Sequence, residues 1–328
     1  MTSTAQDRIR RPDEHAHPPR GAAGEGWLLR PDVPVRPPRV PAGVEYHRVY
    51  AGDKRRILRG LLVIVLLFAG LIGFAQLFLL GAATIDARIL GRTGFTPLQQ
   101  AAGALSLAVL IPYSMLLQRL FYGVPAGSLH SVTGRFRHGV LGRTLLVFGP
   151  LLLILVSIAS LMPGEAVPWT TADLVAFIVI STLLSPLAAA GEEYGLRGLM
   201  FRVVGGWTRG ARSGAILGII VTTVLFSLFH GTLDPYLLTS YLVLFSAMAI
   251  VTWRTGGLEV AVVLHAVYNA TAFVLATTLH LDLGGALGSR GEAVGSVTNL
   301  VPGAGLAVIT AIIWWTTRKS GPARTPSA

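Results

Sequence analysis

The chain has 328 residues, of which 52% are hydrophobic and 13% are charged, and its mean hydropathy is +0.62. Soluble domains carry about 25% charged residues, so a soluble globular enzyme is excluded. The chain has no cysteine, which excludes a disulfide scaffold, thiol catalysis and cysteine-based zinc sites. A net charge of +11 would suit a nucleic-acid partner, but the placement of the basic residues favours another explanation.

The N-terminal region, residues 1–56, is rich in proline and arginine and holds few apolar residues that could form a core. Such a composition is typical of disordered chain. The first long apolar block also begins too late for a cleavable signal peptide. We therefore predict a disordered, cytoplasmic Pro/Arg-rich tail over residues 1–56.

Eight apolar blocks follow the tail, and each is close to the length of about 20 residues that crosses a bilayer. In chain order they are Leu61–Leu80, Ala101–Leu117, Leu145–Leu161, Leu174–Ala190, Gly214–His230, Tyr236–Trp253, Leu258–Leu281 and Val297–Trp315. Because lipid offers no partner to backbone groups, each block is predicted to be a helix. Pro150, Pro186 and Pro302 are expected to kink three of them. The predicted fold class is an all-α, polytopic membrane bundle of about eight transmembrane helices.

The basic residues predict the orientation of this bundle. With a cytoplasmic N-terminus and eight crossings, only Arg88, Arg92 and Arg290 of the 27 basic residues lie in outer loops. The other 24 lie on the inner side, which is a strong positive-inside pattern. We therefore predict a multi-pass protein of the cell membrane with both termini cytoplasmic. Its basic charge is expected to contact anionic lipid, and no nucleic-acid partner is expected.

Ionisable side chains inside predicted spans are costly and are therefore candidates for function. Glu192 and Glu193 follow the fourth apolar block directly. On a continuing helix, Glu193 and Arg197 are four residues apart on one face, in the favourable order for an ion pair. Glu192 points about 100° away and has no such partner. Glu193 is thus expected to be structural, and Glu192 suits a general base.

Histidines in two later spans add to these carboxylates. Phe226 and His230 share one helix face, and His265 and Asn269 share another. Hydrolysis of an amide needs a carboxylate base, a second group that holds the water molecule, and hydrogen-bond donors for the oxyanion. His280 lies where its span leaves the membrane and is expected to be an interfacial residue.

These residues form three motifs in order, Glu192-Glu193-x-x-x-Arg197, Phe226-x-x-x-His230 and His265-x-x-x-Asn269. The pattern resembles the CPBP intramembrane proteases, the CAAX protease and bacteriocin-processing family, which is related to the type II CAAX prenyl endopeptidases. The resemblance covers roughly residues 170–275, and each motif falls in its own hydrophobic segment.

The resemblance implies an intramembrane endopeptidase that opens to the cytoplasm and cleaves a membrane-associated peptide or protein. It implies that Glu192, held with His230, is the general base for water, and that His265 and Asn269 bind the oxyanion. It assigns structural support to Glu193, Arg197 and Phe226.

The resemblance leaves the cofactor open, because the family is commonly called metalloproteases while a metal-free glutamate mechanism is also argued for it. A zinc ion could be held by Glu192, His230 and His265. The sequence contains no His-Glu-x-x-His helix, which would be stronger evidence for zinc. We therefore slightly favour a mechanism without an essential metal.

The predicted boundaries raise one geometric problem. Opposite helix directions and a rise of 1.5 Å per residue place Glu192 and His230 near opposite faces of the membrane. The two can meet only where the fourth helix continues past Glu192, toward Arg202 or beyond, and the fifth helix starts deeper than its apolar block.

Four regions are predicted: the tail over 1–56, three transmembrane helices over 57–168, a catalytic core over 169–282, and an outer loop, last helix and short tail over 283–328. Two other functions remain open. One is a proton-coupled transporter that uses the same carboxylates and histidines as a proton relay. The other is a non-catalytic membrane protein that binds a partner, as in immunity.

Overall fold

A computed structural model describes residues 27–29, 39–52, 55–161 and 166–327. Within these residues the chain is helical without any strand, and eight helices are long and apolar enough to cross a membrane. They are α1 Ile57–Leu90, α2 Pro97–Tyr122, α3 His138–Ser160, α4 Thr171–Gly205, α5 Ala211–Phe229, α6 Pro235–Thr255, α7 Glu259–Thr278 and α8 Val297–Thr316. The predicted fold class is confirmed, and each apolar block corresponds to one helix.

The helix ends follow from local signals in the sequence. The side chain of Thr96 caps α2 and that of Asp234 caps α6, and a proline follows each cap. Gly123 and Gly256 end the same two helices with φ angles of 66° and 67°. A residue with a Cβ atom is strained in this left-handed conformation, so glycine favours termination there.

The bundle is organised around α7, which packs against α3, α4 and α6. Large apolar side chains are exposed on the outer surface, among them Leu62, Val65, Leu146 and Ile154. An apolar exterior of this extent is typical of a surface that meets lipid.

Helix α4 continues well past the two glutamates, as a meeting of Glu192 with the other motifs requires. It runs as α-helix to Glu193, as π-helix over Tyr194–Met200, and again as α-helix to Gly205. Only short π segments are found in most proteins, and they occur frequently at functional sites. The irregular turn therefore lies directly beside the glutamate pair.

Part of the region predicted to be disordered is packed, which corrects that prediction for residues 39–52. Tyr46 and His47 are fully buried, and the Tyr46 hydroxyl donates a 2.6 Å hydrogen bond to the carbonyl of Leu129. Glu45 accepts a 2.8 Å hydrogen bond from the Trp253 indole. These aromatic and polar contacts hold the segment against the bundle, although its composition is typical of disordered chain. The remainder of the predicted tail lies almost entirely outside the described residues.

The end of the bundle that carries most of the basic residues, which we call the basic end, holds a buried ion pair of Arg137 with Glu259. We call this ion pair the basic-end pair. Nε and Nη2 of Arg137 donate to the two Glu259 oxygens at 3.0 and 2.7 Å, and its backbone N–H donates to Oε1 at 2.9 Å. Nη1 donates to the carbonyl of Thr255 at 3.0 Å. Both charges are thus buried with nearly complete hydrogen bonding.

Candidate active site

The first and third motifs meet where α4 packs against α7. The imidazole of His265 lies between both glutamates of α4. Its Nδ1 is 2.8 Å from Oε1 of Glu193, and its Nε2 is 3.4 Å from Oε2 of Glu192. A single histidine therefore links the two carboxyl groups that the sequence placed on different helix faces.

Glu193 is held as the sequence predicts, with one addition. Its Oε1 accepts a 3.3 Å hydrogen bond from Nη1 of Arg197, four residues along the helix, as well as the bond from His265. The Arg197 guanidinium lies 5.0 Å from the ring centre of Phe226 and 4.9 Å from that of Phe245. Phe226 therefore reaches the first motif through Arg197, and the cation–π contacts help to hold the arginine.

The two glutamates differ in access. The side chain of Glu193 is fully buried, whereas that of Glu192 is 13% exposed. Of the two carboxyl groups, only that of Glu192 is therefore in contact with solvent. Among the described residues no hydrogen-bond partner is found for Glu193 Oε2.

His230 directly follows the last residue of α5 and is fixed by its own helix. Its Nδ1 lies 2.8 Å from the carbonyl oxygen of Phe226, and a carbonyl can only accept, so Nδ1 carries the proton. Nε2 of the neutral ring is then an acceptor. The ring also packs against Tyr241 and Phe245, with centroids 4.5 and 4.9 Å apart.

Asn269 lies one helical turn beyond His265 on α7 and is half-buried. Within the described part of the chain its side chain makes no hydrogen bond, so its NH2 group can donate to a ligand. His265 and Asn269 thus share a face of α7, as predicted.

His230 of the second motif does not contact Glu192 of the first directly. No hydrogen bond or ion pair within the described residues joins His230 to Glu192. The ring of Phe245 lies beside both histidines, with its centroid 4.9 Å from that of His230 and 6.4 Å from that of His265. Any joint action of Glu192 and His230 therefore requires a molecule between them.

The possible zinc site does not fit this geometry. No three His, Asp or Glu side chains in the described ranges come close enough together to hold a metal ion. Glu192, His230 and His265 are therefore not gathered into one ligand set.

A close helix contact sets the position of the glutamates. A Cβ atom built on Gly191 would lie 1.9 Å from the carbonyl oxygen of Leu107 in α2. Only glycine allows this approach of the two backbones. Because Gly191 directly precedes Glu192, the contact also fixes how deeply the carboxyl group enters the bundle.

The site is closed toward the basic-end pair and more open toward the opposite end. Residues 259–265 of α7 are buried, whereas residues 266–276 are all half-buried. The more open end carries the loop that follows α7, which the positive-inside pattern places outside. This conflicts with the cytoplasmic opening implied by the family resemblance, so the two expectations cannot both hold.

Three residues near the site were missed by sequence reasoning. Tyr241 and Phe245 belong to an ordinary apolar span, and no signal in the sequence marks them. Arg290 carries a signal in retrospect, because it is one of only three basic residues in the predicted outer loops.

The fold and the site together define a helical membrane protein with a partly exposed glutamate beside a histidine where two helices of its bundle meet. The family model described as type II CAAX prenyl endopeptidase Rce1-like matches residues 171–271. This segment contains all three motifs, and the match confirms the resemblance drawn from them. It supports a protease-type enzyme that acts on membrane-associated substrates. No curated protein and no solved structure matches the chain.

Proposed function

We propose that the protein is an intramembrane endopeptidase that hydrolyses a peptide bond of a membrane-associated peptide or protein, with Glu192 as its general base. The observation that carries the proposal is the contrast between the two glutamates. Glu193 is buried and bonded to Arg197 and His265, while Glu192 is accessible and within 3.4 Å of His265. Of the two glutamates, Glu192 is therefore the one that can bind the attacking water.

In the proposed reaction a water molecule lies between Glu192 and the acceptor Nε2 of His230. Glu192 takes one proton from the water as its oxygen attacks the carbonyl carbon of the peptide. The product of this step is a tetrahedral intermediate with a negative oxygen. A bridging water is consistent with the absence of direct contact between these two side chains in the described structure.

The negative oxygen needs donors on the opposite side, and α7 supplies them. Asn269 offers its NH2 group, and Nε2 of His265 donates when the ring carries both protons. Glu192 then passes its proton to the leaving nitrogen, and the C–N bond breaks to give a carboxylic acid and an amine. Glu193 and Arg197 position His265 throughout.

The proposal is tested by comparing the protein termini in membranes from cells that carry the wild-type protein or Glu192→Gln at equal expression. We expect specific cleaved ends that disappear in the variant. The matched control is Glu292→Gln, which changes an exposed acid of the outer loop. Identical profiles in wild type and Glu192→Gln under several growth conditions would contradict proteolysis and favour the transporter or partner-binding function.

We further propose that the protein lies in the cell membrane with its basic end in the cytoplasm, against anionic lipid. Because the natural chain has no cysteine, single cysteines report orientation cleanly. Gly288→Cys is expected to react with an impermeant thiol reagent in whole cells, and Lys319→Cys only after lysis. The reverse pattern would favour a site that opens to the cytoplasm.

A further inference from the structure

Arg290 is a charged residue near the site that the proposed mechanism leaves unused. It lies in the loop between α7 and α8 and is exposed. Its side chain makes no hydrogen bond or ion pair with another described residue. An arginine without a protein partner is free to bind an anion that arrives with a ligand.

The loop that carries Arg290 is anchored beside His230. A Cβ atom on Gly291 would lie 3.3 Å from the carbonyl oxygen of Gly231, the residue after His230. Further along, Asp234 accepts hydrogen bonds from the backbone N–H groups of Leu237, Tyr236 and Gly295. These contacts on the C-terminal side of Arg290 keep it near the open end of the site.

The charge of Arg290 reaches the proposed catalytic groups. It acts electrostatically on the carboxyl group of Glu192, on the ring of His230 and on the hydroxyl of Tyr241. A peptide bound at Glu192 therefore lies in the field of the Arg290 guanidinium.

We propose that Arg290 binds a carboxylate of the peptide substrate and is therefore a specificity-determining residue. The planar guanidinium can hold a carboxylate with two parallel hydrogen bonds. The carboxylate is either the C-terminus of the substrate or an acidic side chain. The inference rests on the proposed function for the position of the cleaved bond.

The test measures peptide binding without turnover, in full-length Glu192→Gln protein held in lipid nanodiscs. The probes are three fluorescein-labelled decapeptides of one apolar sequence. The first has a free C-terminal carboxylate, the second a C-terminal amide, and the third an amide with one internal glutamate. We expect a carboxylate-bearing peptide to bind about five- to tenfold more tightly than the neutral amide, with less discrimination at high salt.

Adding Arg290→Gln is expected to abolish this discrimination, and Arg290→Lys is expected to keep part of it. Arg88→Gln is the matched control, because Arg88 is also an exposed arginine of the predicted outer side. The first and third peptides show which carboxylate is bound. Unchanged discrimination in Arg290→Gln would overturn the proposal, as would equal binding or no binding of the three peptides.

A cleavage assay with the same peptides and intact Glu192 separates this inference from the proposed function. Discrimination in binding without any cleavage would support the role of Arg290 and contradict the protease. Cleavage with the same kcat/KM for all three peptides would support the protease and contradict the role of Arg290.

Discussion

The basic-end pair and the glutamates of α4 both place buried carboxyl groups at α7, Glu259 on the helix itself and the glutamates of α4 beside it, but they differ in how fully those groups are bonded. Both oxygens of Glu259 are bonded to Arg137. At the site, Glu193 leaves one oxygen unpartnered among the described residues, and Glu192 has a single 3.4 Å contact with His265. Buried polar groups are normally satisfied, so the weak bonding of Glu192 leaves its partly exposed carboxyl group able to bind a water molecule.

The largest expected effect on stability comes from breaking the basic-end pair. Glu259→Gln leaves the Arg137 charge buried without a counter-ion, which typically costs about 3–5 kcal/mol. We expect a large fall in the unfolding temperature of the purified protein. The double change of Arg137→Met with Glu259→Leu is expected to recover much of the loss, because it removes both charges. Equal stability of Glu259→Gln and wild type would show that the basic-end pair does not stabilise the fold.

At the site the expected effect is on rate. Asn269→Ala removes a proposed donor to the oxyanion, and loss of one such donor lowers kcat by about 10²–10³. Asn269→Asp, which keeps the size but lacks the NH2 group, is expected to be equally slow. Steady-state cleavage assays check this, with unfolding temperatures measured in parallel. A drop in stability as large as that of Glu259→Gln would make Asn269 a structural residue.

The contact between α2 and α4 links stability to the position of Glu192. Gly191→Ala places a methyl group against the Leu107 carbonyl, and overpacking of this kind costs about 1–3 kcal/mol. We expect lower stability together with weaker cleavage, because Glu192 is displaced. Gly73→Ala is the control, since nothing lies within 4 Å of a Cβ atom there. Similar behaviour of the two variants would show that α4 can shift without affecting the site.

The smallest effect concerns His47, near the basic end and outside the spans. Burial lowers the pKa of His47 to about 4, whereas an unfolded histidine has a pKa near 6.5. The folded state thus favours the neutral ring, and its stabilisation is present above about pH 6.5 and is lost as the pH falls toward 4. Between pH 7 and pH 5 the loss is about 2 kcal/mol.

Unfolding temperatures measured across this pH range test the prediction for His47. His47→Phe, which keeps an aromatic ring against Phe201, is expected to flatten the pH dependence. His138→Gln changes an exposed histidine and is expected to leave it unaltered. A pH dependence that survives in His47→Phe would assign it to another group.

The helices and the pairing of Glu193 with Arg197 could be predicted because hydropathy and helical spacing are local properties of the sequence. The contact of His265 with both glutamates could not, since it depends on how α7 packs against α4. The sequence showed only that α4 must extend past Glu192 for the motifs to meet, and it did not predict the π-helical segment. Packing of residues 39–52 was missed because a few buried side chains, such as Tyr46, decided it against the composition. Arg290 was missed because loop geometry placed it near the site.

The most direct test of the account is one experiment on purified Glu192→Gln in nanodiscs, in which cleavage of a peptide substrate and the unfolding temperature are measured on the same sample. If Glu192 is the general base, we expect cleavage to be lost while the unfolding temperature stays within a few degrees of wild type. Retained cleavage would contradict the role of Glu192 as the base. A fall in unfolding temperature comparable to that of Glu259→Gln would show that both carboxylates are structural.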